Sequence, residues 1–251
     1  MSELSAIFHM WKRELIRFTR SKSRIIGSMG MPFFFLAIVG TGLNGALSLP
    51  GQSGNYLDYM MPGVLGMVLM MGSIFSGVLV IMDRQFGFLK ETLVAPVSRV
   101  SIVIGKALGG ATTAVIQGLL MLGIALILGV NIQWQNLPLA ILLMGGISLA
   151  FVSIGIAIAS LIEDMHGFQL IMNFLVMPLF FLSGALFPLD KAPEPIRLLS
   201  YVDPLTYAVD GMRALLIGQS SLPLALSMGV VFGFVMISVP LAAYLFGRIE
   251  G

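Results

Sequence analysis

Residues 107–162 read ALGGATTAVIQGLLMLGIALILGVNIQWQNLPLAILLMGGISLAFVSIGIAIASLI, with no Asp, Glu, Lys or Arg anywhere in the run. One helical crossing of a bilayer takes about 20 apolar residues, so this stretch is too long for a single span. It is interrupted once, at Asn131-Ile132-Gln133-Trp134-Gln135-Asn136 followed by Pro138, a polar and turn-forming segment. Two helices result, 102–129 and 137–162, and the same pattern continues on both sides of them.

Toward the N terminus, 60–82 is uncharged up to Asp83 and Arg84, and 25–47 is uncharged up to the turn-rich Pro50-Gly51-Gln52-Ser53-Gly54-Asn55. Toward the C terminus, 167–187 and 222–247 are two further apolar blocks. The chain therefore reads as an all-α polytopic membrane protein with six transmembrane helices in a single domain spanning 1–251. Composition agrees: 57% of the residues are hydrophobic and 10% charged, against about 25% charged in soluble domains, which excludes an ordinary water-soluble enzyme. The absence of cysteine removes disulfide scaffolds, thiolate nucleophiles and zinc ribbons. A net charge of +2 gives no reason to expect nucleic acid as a partner.

The basic residues orient the spans. Lys12, Arg13, Arg17, Arg20, Lys22 and Arg24 precede span one, Arg84, Lys90, Arg99 and Lys106 flank the loop between spans two and three, and Arg248 follows span six. Only Lys191, Arg197 and Arg213 of the 14 Lys and Arg fall on the other side. Basic residues collect on the cytoplasmic side, so both termini are expected in the cytoplasm. Lys106, one turn inside span three, is expected to snorkel to the headgroups. The long basic lead before span one argues against a cleaved signal peptide.

Segment 1–24 has helical periodicity: Ile7, Phe8, Trp11, Leu15 and Phe18 share one face, and Arg13, Arg17, Arg20 and Arg24 the opposite one. Such a helix suits the membrane interface, its basic face turned to anionic headgroups or a cytoplasmic partner. The loop 83–99, with Phe88, Leu89, Thr92 and Leu93 ahead of Pro96, can form a short helix that stops before the proline. Apolar residues set among charges suit docking into another protein's groove. Segment 188–221 carries Asp203, Asp210 and Arg213 among apolar residues. Its helices are expected to lie shallow, because a charge at the bilayer centre costs about 2.5–3.5 kcal/mol on insertion scales.

Two stretches resemble a known family. Gly87-Phe88-Leu89-Lys90-Glu91 followed by Ala95-Pro96-Val97-Ser98-Arg99 is similar to the coupling helix of type-2 ABC transporter permeases, in particular the daunorubicin-resistance-like exporters. Phe181-Leu182-Ser183-Gly184-Ala185-Leu186-Phe187-Pro188-Leu189, Asp203-Pro204-Leu205-Thr206-Tyr207 and Asp210-Gly211-Met212-Arg213 resemble that family's signature around span five. Phe88 departs from the small polar residue common there.

The resemblance implies an exporter subunit. Arg84, Gly87, Phe88, Leu89, Lys90, Glu91 and Pro96 would meet a separate ATPase that holds ATP and Mg, and two permease copies, as a homodimer, would pair with two ATPases in a prokaryotic cell membrane. It further implies an interfacial helix bearing Trp11, Arg13, Arg17 and Arg20, and an outer re-entrant gate including Pro188, Asp203, Pro204, Tyr207, Asp210 and Arg213. The cargo would be lipophilic or amphipathic, with a lipid-linked glycan as the alternative. Soft and aromatic residues, Phe34, Asn173, Met177 and Phe180, are candidates for the substrate path.

The chain is expected to hold no cofactor, no metal and no catalytic residue of its own. Gly105-Lys106-Ala107 lacks the first glycine and the hydroxyl of a phosphate-binding loop. A secondary carrier would need ionisable groups in mid-membrane, and an intramembrane hydrolase a Ser–His pair, which His166 and Ser183 are too far apart along one helix to form. Glu163, Asp164 and His166 read as a solvated turn rather than a metal site. Small residues at four-residue spacing, Gly105 with Gly109 and Gly229 with Gly233, are expected to pack helices.

Overall fold

The computed structural model describes residues 2–44, 55–88 and 97–249. Among these residues the chain is all helical, and six helices are long and apolar enough to cross a membrane. Helix α1 is Glu3–Arg20. Helix α2 is Lys22–Phe34, prolonged by a π-helical stretch Phe35–Gly40 and a last turn Thr41–Asn44. Helix α3 is Tyr56–Ile74, carried through a tight turn at Phe75–Gly77 into Val78–Gln85. Then follow α4 (Arg99–Ile127), α5 (Leu137–Leu161), α6 (Met165–Leu182), α7 (Glu194–Ser200), α8 (Pro204–Ile217) and α9 (Leu224–Phe246).

Local chemistry sets several of these boundaries. Ser2, Ser98, Asp164 and Asp203 each accept a backbone N–H of the following first turn, satisfying donors that a helix start leaves open. Helix α8 opens with Pro204 and ends at Gly218, whose φ of +72° only glycine adopts cheaply. Pro32 cannot donate a ladder bond, and the π-helical stretch follows it directly. Pro178 and Pro240 lie within continuous α6 and α9.

Helix α3 is the axis of the bundle, buried along most of its length against α4, α5 and α8. Its backbone nearly touches α5. A Cβ at Gly77 would lie 2.4 Å from the Gly155 carbonyl oxygen, and one at Gly155 2.5 Å from that of Ile74. Alanine at either position would force the helices apart, which is the use of small residues in apolar bundles. Helices α2, α6 and α9 sit outside and expose large apolar side chains such as Phe34, Phe174 and Met236, as lipid-facing helices do.

The packing of the glycine pairs is more specific than their spacing tells. Gly105 and Gly109 of α4 face α1, where added Cβ atoms would lie 2.6 Å from the Met10 and Glu14 side chains. Cβ atoms at Gly229 and Gly233 would meet nothing within 4 Å, so the expected packing is not made among the described residues. The bundle has two ends. The proximal end gathers α1, the end of α3, the start of α4 and the α5–α6 turn; the distal end gathers Tyr56, the 131–136 hairpin and residues 184–222.

Candidate functional site

At the proximal end α1 lies along α4, with the Trp11 Nε1–H donating to Thr112 Oγ1 at 3.1 Å. Two of its arginines, Arg13 and Arg17, turn inward. Asp83, 1% exposed at the end of α3, accepts from Arg13 Nη2 at 2.8 Å and Arg17 Nη2 at 3.1 Å through one oxygen, and from Lys106 Nζ at 2.5 Å through the other. Glu14, also buried, stands 4.0 Å from the same ammonium. Sequence periodicity directed Arg13 and Arg17 to headgroups or a cytoplasmic partner and Lys106 to a snorkelling position; in the structure all three are drawn to one buried carboxylate. The physical reason is that an unpaired charge in such a place is far costlier than a paired one. Arg20 stays exposed, and so does an apolar edge of α1 at Leu4 and Phe8.

The loop that follows Asp83 is fastened on both sides. Before it, Arg84 Nη2 pairs with Glu163 at 2.8 Å and Gln85 Nε2 donates to the Glu163 carbonyl at 3.2 Å. After it, the Ser98 N–H and hydroxyl both donate to the Glu3 carboxylate. Hydrogen bonds from Ser101 and Ser98 hold that carboxyl below its ordinary pKa. Arg99 Nη1 donates to the carbonyls of Gly247 and Ile249. Gly87 has φ +79°, a Cβ built on it would meet nothing within 4 Å among the described residues, and Phe86 and Phe88 are exposed. Leu89, Lys90, Glu91 and Pro96 lie outside the described residues. Of the turn once weighed for metal, Glu163 is engaged by Arg84 and Asp164 caps α6.

The distal end is built differently. Gly184, with φ +69°, presents its carbonyl to both the Tyr59 hydroxyl at 3.1 Å and Arg213 Nη2 at 3.0 Å, and the guanidinium stacks 4.1 Å over the Tyr59 ring. Asp210 accepts the N–H groups of Ser221 and Leu222 at 2.8 and 3.1 Å. Asp203 caps α8 through the Leu205 N–H, and burial pushes its carboxyl up to about 7. Desolvation lowers the Arg213 pKa as well. Pro188 starts a short turn at Leu189–Lys191, Pro204 opens α8, and the Tyr207 hydroxyl donates to the Tyr201 carbonyl. All six outer residues named from the sequence lie at the distal end, where Arg213 and Asp210 of α8 join Tyr59 of α3, the Gly184 turn after α6 and the Ser221–Leu222 segment before α9.

The proposed path residues are not brought together. Phe34, Asn173 and Met177 are on the exposed outer faces of α2 and α6, whereas Phe180 is buried, edge-on to Phe35 at 6.1 Å. The large cavity, about 660 Å³, lies elsewhere, between α1, α2, α3 and α4 at the proximal end. Gln117, an amide within α4, is in its wall and donates to Ser28 Oγ at 2.9 Å.

With this geometry in view, residues 5–217 match the family model for the ABC-2 type transporter. Nodulation protein J of Rhizobium leguminosarum bv. viciae is 24% identical over 242 residues, 95% of this chain and 93% of that protein. A probable doxorubicin resistance ABC transporter permease protein, DrrC, of Mycobacterium tuberculosis (strain ATCC 25618 / H37Rv) is 28% identical over 221 residues, 82% of this chain and 75% of that one.

Proposed function

The chain belongs to the ABC-2 type transporter family, and on that premise we propose that it is the permease subunit of an ATP-driven exporter, with the 83–99 loop as the place where a separate ATPase engages it. The observation that carries this reading is the fastening of that loop to three elements at once: α1 through Glu3, α4 through Ser98, and the α5–α6 turn through Glu163. A push on the loop is therefore delivered to four helices rather than absorbed by a slack connector.

The chain's own residues supply the transmission. Asp83 sits directly before the loop and holds Arg13, Arg17 and Lys106. Motion of the loop pulls on that carboxylate and so on α1 and α4. The ATPase, holding ATP and Mg, would supply the work. Two permease copies face each other through α2 and α6. Those helices touch through Phe35 and Phe180, and their outer faces expose Phe34, Phe174 and Met177 together with Asn173. An amide facing lipid lacks partners, and a second copy provides them. The basic proximal end lies in the cytoplasm of a prokaryotic cell membrane, as its Lys and Arg excess directs.

The cargo is lipophilic or amphipathic and leaves through the distal end. The name of the doxorubicin resistance relative supports the first class. The test is purification of the tagged chain from its native membrane in mild detergent. An ATPase is expected to co-purify in equal amount, and Lys90→Glu with Glu91→Lys to release it. A chain that purifies alone and transports in liposomes without ATP would instead be an ion-coupled carrier.

A further inference from the structure

The proximal cavity has a charged end and an apolar body. Glu14, Arg17 and Ser21 are at one end, and Met31, Met71 and Phe75 line the remainder. Along α3 its wall runs from Met71 to Met82, about 16 Å at ~1.5 Å per residue, close to half of a ~30 Å hydrocarbon core. Its volume of about 660 Å³ falls within the ~300–1,000 Å³ of ligand pockets. Gly27 and Met31 are exposed on α2 at its margin, so the cavity is reached from the side of the bundle at the depth of one leaflet.

Two independent features define what fits there. The cluster beside it holds Arg13, Arg17 and Lys106 against Glu14 and Asp83, leaving one positive charge unbalanced among these five groups. Arg17 spends Nη2 on Asp83, while its Nη1 is buried and has no hydrogen-bond partner among the described residues. A buried guanidinium nitrogen without an acceptor carries a desolvation cost, which an anionic oxygen would remove with a charge-assisted hydrogen bond.

We infer that this cavity binds an anionic amphiphile from the proximal leaflet, its phosphate or carboxylate head beside Arg17, whose guanidinium, on a side chain 31% exposed, turns to present Nη1 to it, and its chain between α2 and α3 against Met31, Met71 and Phe75. The site needs no ATPase and no second copy, so it stands or falls apart from the exporter reading.

Gly27 offers the means of testing it. Gly27 lines the cavity, and a Cβ there meets nothing within 4 Å among the described residues, so a larger side chain can be placed at its margin. The full chain in nonionic detergent is titrated with cis-parinaric acid, a fluorescent fatty acid, and with its neutral methyl ester. Wild type is expected to bind the acid saturably and at least tenfold tighter than the ester. Arg17→Gln should remove that preference and Arg17→Lys restore most of it; Gly27→Phe, or the milder Gly27→Leu, should weaken both probes at least tenfold. Equal binding of acid and ester by wild type would overturn the headgroup assignment, and unchanged binding by the Gly27 variants would overturn the cavity. Displacement by phosphatidylglycerol would identify the occupant as a resident bilayer lipid, and displacement by a single-chain alkyl phosphate alone as a free amphiphile. Displacement by neither would refute the proposal.

Discussion

The two ends of the bundle solve the same problem in opposite ways. Each must hold charged side chains in apolar surroundings. The proximal end pairs charges with charges, three cations on Asp83, whereas the distal end pairs charges with backbone: Arg213 on the Gly184 carbonyl, Asp210 on the Ser221 and Leu222 N–H groups, Asp203 on the Leu205 N–H. Backbone partners have one position each and lock a turn in place. Ion pairs among flexible side chains can be re-made with new partners. If force enters at the proximal end and cargo leaves at the distal one, as proposed, the pairs that can be re-made stand where the force arrives and the fixed ones where the cargo leaves.

The largest effect that would break this contrast is at Asp83. Replacing it with Ala leaves Lys106, 4% exposed, and two arginines with Glu14, 4.0 Å from the ammonium, as the remaining carboxylate, and loss of one partner of a buried pair costs about 3–5 kcal/mol. Thermal unfolding in detergent, followed by size-exclusion chromatography, should show a sharply lowered midpoint or no recoverable protein. Arg213→Met comes next. It removes the bond to Gly184 and the stacking on Tyr59, a loss of about 2–3 kcal/mol for a hydrogen bond to a charged group, read as a shift in a denaturant titration. If the distal end holds rather than moves, this variant loses stability without losing ATPase association.

A graded effect follows from Asp203. Its folded pKa, about 7, lies above its ordinary value of 3.8, so the folded chain binds this proton more tightly than the unfolded one. Its contribution is fully present below pH ~4 and is lost as pH rises toward ~7. Asp203→Asn retains an oxygen for the cap and should flatten that slope in unfolding midpoints taken between pH 4 and 8. The smallest effect on stability is at Arg84→Gln. Its partner Glu163 is 79% exposed, and such pairs contribute about 0–1 kcal/mol. Substrate-stimulated ATP turnover should nevertheless fall severalfold, because one fastening of the loop is gone.

What the sequence discloses divides along the same line. Six apolar runs separated by charged or polar turn segments were legible because a bilayer imposes one length and one polarity on every crossing. The distal residues were legible as a group because glycine, proline and aspartate at turns act locally. The proximal cluster was not. Asp83 and Lys106 are 23 positions apart, and Asp83 and Arg13 are 70 apart; helical periodicity says which residues share a face, not what that face meets. The same limit explains Gly105 and Gly109, whose partner is α1 rather than another crossing helix. It explains Phe180, which went to the core while Phe34 stayed on the surface. The cavity, enclosed by four helices, has no signature within any one of them.

The lack of native cysteine permits the most direct test of the central claim, that force enters at the proximal loop. Single cysteines at Glu91 and, on the exposed distal turn, at Asp190 would each carry a short photo-crosslinker in native membranes. The account predicts a covalent adduct with an ATPase subunit from Glu91→Cys that diminishes when nucleotide is removed, and none from Asp190→Cys. An adduct from the distal position, or from neither, would contradict it.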